Sequence, residues 1–189
     1  VFKQIGTRIL GFPIGFTNSI ETFITHDGLK MSYGTQPLGS EFFVKSHGLL
    51  CDQGISDLDI YVQDWKGTKC FFYVGEKSHL PYDIFSAAFY LLSRYEEYLP
   101  HVKDDYGRFT KKDSVAYQNG FLEQPVVDIW AIYFKEALKS HFPSMKFQSR
   151  QYSIAPVIDV PVAYYFKNKG LMRSLGGVFS DLINFRYQL

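Results

Sequence analysis

The run Ile154–Ile158 (Ile154, Ala155, Pro156, Val157, Ile158) ends on Asp159, with Val160 and Pro161 behind it. Short apolar runs rich in β-branched residues read as buried strands, so a strand is predicted over residues 152–160. A carboxylate where such a strand ends is costly unless it sits at a cleft, is paired, or binds a metal. In parallel α/β folds that end of a strand is where active sites are built. The same residue also suits a plain structural role. It can cap the following turn while Pro161 holds the approach extended. Metal-dependent hydrolysis would need further carboxylates or imidazoles, and none follows Asp159 within reach.

Other residues able to do chemistry carry weaker patterns. The histidines His26, His47, His79, His101 and His141 show no HxH, HxxxH or HExxH spacing and read as surface or turn residues. Glu96 and Glu97 could form an acid/base pair, but neighbours on a helix point about 100° apart. With Arg94 they read as a helix-end salt network. Gly170 and Gly176-Gly177 lack the spacing of a phosphate loop, and no serine lies in a G-x-S-x-G context. Cys51 and Cys70 show no CxxC spacing and read as free thiols of a reducing compartment.

The elements that must position these groups read as follows. Residues 1–10 form the tail of an amphipathic helix closed by Gly11 and Pro13. Short strands are predicted at 14–17, 22–25 and 30–33, the last two making a hairpin across His26-Asp27-Gly28. Residues 41–51 fit either strand or helix. A second hairpin joins 59–63 to 70–74 through Asp64-Trp65-Lys66-Gly67. The clearest helix is 84–98, capped by Asp83, and Pro125 opens another that reaches about His141. Between them, 101–124 is a long polar connection. Residues 148–151 form a polar bridge, so one domain is expected over 1–148 and the start of a second over 149–189. The chain opens on Val1 in a helical pattern, which implies that residues precede it.

The composition belongs to an ordinary globular chain: 189 residues, 46% hydrophobic, 18% aromatic, formal net charge +1. Such a balance gives no basic face for nucleic acid, and none is expected as a partner. No apolar run approaches the roughly 20 residues that cross a bilayer, so no transmembrane segment and a cytoplasmic location are expected.

Ordered blocks along the chain resemble a family. These are Asp83–Tyr98 (DIFSAAFYLLSRYEEY), Asp104–Phe109 (DDYGRF), Asn119–Asp128 (NGFLEQPVVD), and Ile158–Pro161 (IDVP) with Tyr164-Tyr165-Phe166-Lys167. Together they are similar to an uncharacterised N-terminal domain of bacterial polysaccharide deacetylase-like proteins, in order from about Ile5 to Asn184. The resemblance implies metal-dependent hydrolysis of N-acetyl groups on glycans, by a distorted (β/α) barrel holding a divalent metal such as zinc. It places Asp159 on the barrel's first aspartate motif, as base or metal ligand. Where that motif has two adjacent aspartates, this chain has Asp159-Val160-Pro161. The histidine pair of such a site would fall beyond Leu189, so this fragment is expected to hold no cofactor and to complete no catalysis.

The expected architecture is therefore α/β or α+β. A mixed sheet flanked by helices is followed by the first strand and helix of a truncated (β/α) barrel. A glycan is the expected partner of the whole protein. One rival reading is a non-catalytic glycan-binding or assembly module, for which exposed rings among Tyr61, Trp65, Phe71 and Tyr73 would speak. Another is a nuclease-like α/β domain with Asp59, Glu76 and Lys77 on one sheet edge.

Overall fold

The structure, a computed structural model, describes residues 1–148, 153–159, 170, 175–177, 179, 180 and 182. The chain divides into two compact units, Val1–Arg150 and Gln151–Leu189.

The first unit mixes small sheets with several helices. Its core gathers around two helices, α2 (Ile84–Leu92) and α4 (Val126–His141). Asp83 caps α2 as expected, accepting from the backbone N–H groups of Phe85 and Ser86. In α4, Val126, Trp130, Phe134 and Leu138 recur at helical spacing and are all buried. Phe71 packs edge-on against Trp130 and Tyr90, and Phe85 against Phe134. These aromatic contacts form a continuous interior. The N-terminal stretch is helical, but Gln4–Ile9 winds as a π-helix that buries Ile5, Gly6 and Ile9. A Cβ on Gly6 would lie 2.2 Å from Ile14 Cδ1, so a larger residue here would have to push that side-chain end aside.

The strands form two separate two-stranded sheets rather than one mixed sheet. β1 (Met31–Gly34) and β2 (Phe42–Lys45) pair in parallel, with Met31 opposite Phe42. β3 (Gln63–Trp65) and β4 (Thr68–Cys70) form the expected antiparallel hairpin, shorter than predicted. Its turn is Lys66-Gly67, and both residues have positive φ (51° and 82°), the signature of a tight primed turn.

The hairpin expected across His26-Asp27-Gly28 does not form. Residues Ile20–Thr25 are helix α1 instead, because Ser19 caps the Thr22 N–H and places Glu21 in the first turn. At its other end the Lys30 ammonium donates to the carbonyls of Phe23, Ile24 and His26 at 2.9–3.1 Å. Local capping thus overrides the β-branched composition of this segment.

The helix predicted over 84–98 is interrupted. α2 ends at Leu92, Arg94 adopts a left-handed conformation (φ 55°), and Tyr95–Tyr98 form a 3₁₀ turn. Tyr95 is thereby buried, and its hydroxyl bonds to the backbone of Ser56. The polar connection 101–124 contains a 3₁₀ turn (Lys111–Asp113) and the short helix α3 (Val115–Gln118), capped by Ser114.

In the second unit, residues 153–159 carry neither helix nor strand. Val157 and Ile158 are 91% and 83% exposed, so the strand expected over 152–160 is not found among the described residues. β-branched composition makes a strand only where a neighbour pairs the backbone and covers a face. Residues 175–177, 179, 180 and 182 are helical, in keeping with the helix expected to follow the 152–160 strand. No barrel is present among the described residues, and the resemblance motif Tyr164-Tyr165-Phe166-Lys167 lies outside them.

Candidate functional site

A cavity of about 460 Å³ opens in the first unit. Four stretches wall it. Asp57 and Ile60 come from the loop before β3, and Tyr90 from the end of α2. Glu96, Leu99, Pro100, His101 and Val102 follow the Arg94 break. Phe109, Asp113, Val115, Gln118 and Asn119 come from the connection around α3.

Local structure fixes these walls. Glu96 accepts a hydrogen bond from the Val115 N–H at 2.9 Å, which ties the 3₁₀ turn to the start of α3. Burial raises the Glu96 carboxyl above its ordinary value; the Val115 N–H opposes that shift and the charge of Glu97 adds to it. His101 Nδ1 lies 2.8 Å from the Leu99 carbonyl, which can only accept. In the neutral ring Nδ1 therefore carries the proton and Nε2 offers a lone pair. His101 also packs edge-on against Phe109.

The adjoining loop 103–109 is held by a bridge between Lys103 and Phe109. Asp104 accepts from the N–H groups of Tyr106 and Arg108 and from the Arg108 guanidinium. The Arg108 N–H, with these other bonds, holds the Asp104 carboxyl below its usual range. Asn119 Nδ2 donates to the Val115 carbonyl, and Thr110 donates to Asp113 Oδ2.

Tyr90 differs from its neighbours. It is only 4% exposed, yet its hydroxyl has no hydrogen-bond partner among the described residues. Burial, then the charges of Glu96, Asp57 and Tyr95, push its phenol up to about 12. A protonated donor that bonds no protein group thus stands at the cavity wall, open to the recess.

A second buried polar centre is fully satisfied. Asp83 accepts from the Phe85, Ser86 and His47 N–H groups and from the Ser86 and Tyr33 hydroxyls. It joins α2 to β1 and to the loop after β2, a structural role.

The residues singled out from the sequence fare differently. Asp159 lies in the second unit, exposed at the end of the irregular stretch 153–159. Glu96 and Glu97 are parted: Glu97 pairs with Arg94, and Glu96 turns to Val115. His79 and His141 sit 4.6 Å apart between ring centres, and His79 is stacked on Phe42. Among the described residues no three His, Cys, Asp or Glu side chains converge as metal ligands, so these residues do not supply the metal site the resemblance implies. Glu76 and Lys77 lie in a turn and Asp59 in a loop, none of them in a strand, and no bond joins the three. None of the three therefore stands on a sheet edge, where that reading put them. Of the rings that a glycan-binding surface would need, Tyr61 and Tyr73 are exposed (75% and 53%), Trp65 is half-buried and Phe71 is buried. Tyr90, His101, Asp57 and Asp113 were not legible as site residues, since Tyr90 lies on a core helix and the others in polar loops.

The fold and cavity define a mixed α/β domain with a polar, aromatic-walled recess. The chain belongs to a family of unknown function (DUF7033), whose profile matches residues 1–143. That description names no activity and makes no link to polysaccharide deacetylases. No curated protein and no solved structure matches the chain. No described helix is long and apolar enough to cross a membrane.

Proposed function

We propose that the first unit is a glycan-recognition module, binding sugar in the cavity between the end of α2 and α3. The observation that supports it is the make-up of that recess. Its volume, about 460 Å³, lies in the range of small-ligand sites. Carboxylates, carboxamides and an imidazole line it beside the rings of Tyr90 and Phe109. A sugar presents many hydroxyls, each both donor and acceptor, around apolar C–H faces. Side chains that mix acceptors, donors and ring surfaces match that pattern. Isothermal titration of the chain with N-acetylglucosamine and glucosamine oligomers tests the reading. Saturable heat is expected. Gln118→Leu, which removes a cavity amide held only by a 3.5 Å bond to the Asp113 carbonyl, should weaken binding about tenfold. The absence of saturable heat with either oligomer would reject the reading.

The motif order further supports placing this module in a longer deacetylase-like protein, with Asp159 as base or ligand of its first motif. Acetate release from N-acetylglucosamine oligomers by that longer protein, supplied with Zn²⁺ or Co²⁺, checks this second reading. Loss of release in Asp159→Asn is expected. Unchanged release would remove Asp159 from the chemistry.

A further inference from the structure

We propose that the cavity takes an amine-bearing sugar, a glycan unit with a free ammonium group, seated where Glu96, Asp57 and the Tyr90 hydroxyl line the wall. The inference rests on the glycan reading and narrows it to a ligand class.

Charge is the first reason. Asp57, Glu96 and Asp113 line the recess, and its described lining includes no Lys or Arg. Uronates and phosphorylated sugars would meet like charge there, whereas an ammonium would meet carboxylates, of which Glu96 is half-buried.

The Tyr90 hydroxyl is the second and independent reason. The Tyr90 side chain is 4% exposed and lines the recess, and its hydroxyl, which is not sealed from solvent, has no partner among the described residues. A hydroxyl that bonds no protein group and opens on the recess is free to bond a polar atom of a ligand there. An ammonium carries three N–H donors and needs three acceptors. Glu96 has one oxygen on the Val115 N–H, leaving its other oxygen as an acceptor. The Tyr90 oxygen and the Asp57 carboxylate supply the rest, while the Tyr90 proton remains for a sugar hydroxyl. An N-acetyl group would instead set a carbonyl oxygen and a methyl against these carboxylates. The charges of Glu96 and Asp57 both act on the Tyr90 phenol, consistent with one shared locus.

The test is calorimetric titration of the whole chain with four probes: glucosamine trimer, N-acetylglucosamine trimer, cellotriose and trilysine. The glucosamine trimer should bind about tenfold tighter than either neutral trimer, the margin between a charge-assisted and a neutral hydrogen bond. Glu96→Gln retains an acceptor for Val115 and should reduce that preference to about twofold or less. Asp57→Asn, on a different segment, should act in the same direction. Equal binding of glucosamine and neutral trimers would overturn the inference and leave the glycan reading standing. So would a preference unmoved by both substitutions. Trilysine binding as tightly as the glucosamine trimer would overturn the sugar assignment. No binding of any sugar would reject the glycan reading and this inference with it.

Discussion

Glu96 holds α3 in place through Val115 while its carboxyl is raised by burial, so its charge weighs against the fold. The stability it contributes is complete below the ordinary carboxylate range and is lost as pH climbs through its raised value. Glu96→Gln does not titrate. Its unfolding free energy relative to wild type should therefore rise between about pH 4 and pH 7, measured by urea denaturation at each pH. Contributions from Glu41 and Asp104, whose carboxyls lie below their usual values, change the other way with pH but are shared by both proteins. A difference that stays flat across this range would contradict the burial of Glu96. At this scale the sequence was partly readable. Asp83 as a cap followed from its place before an apolar helix. The partnerless Tyr90 hydroxyl did not, because a tyrosine on a core helix looks the same whether or not its oxygen finds a partner.

Arg94 decides where the cavity exists. Its left-handed backbone stops α2, buries Tyr95 and leads Glu96–Val102 along the recess. A β-branched residue tolerates that conformation poorly, so Arg94→Val should cost about 1–2 kcal/mol. Arg94→Gly should cost little, since glycine accepts positive φ and the exposed pair with Glu97 contributes little. Chemical denaturation of the two variants checks this, and equal losses would remove the backbone argument. Elements with strong periodicity or chemically marked ends were legible: α4 from its apolar stripe and Pro125, the β3–β4 hairpin from Lys66-Gly67. The α1 helix was hidden by its threonines and isoleucines. The parallel pairing of β1 with β2 was hidden because register depends on partners distant in sequence. Residues 153–159 show the converse error, since this apolar β-branched run carries no strand.

Within the first unit, the first three of the ordered blocks that marked a family resemblance come together in space. Tyr90 and Glu96 lie in the first block, Phe109 in the second and Asn119 in the third, and all of them line one cavity. The composition made a globular α/β unit legible, and a family match over residues 1–143 agrees with one domain type across most of the chain. The site itself was not readable, because its walls come from four stretches that only the break at Arg94 and the Glu96–Val115 bond bring together. The most direct test is a ¹⁵N-labelled spectrum of the chain titrated with glucosamine trimer. Glycan recognition at the cavity predicts saturable shifts in the amides of Glu96, His101, Val115 and Asn119, with Tyr61 and Tyr73 unmoved. Shifts centred on Tyr61 and Tyr73, or none at saturating ligand, would contradict it.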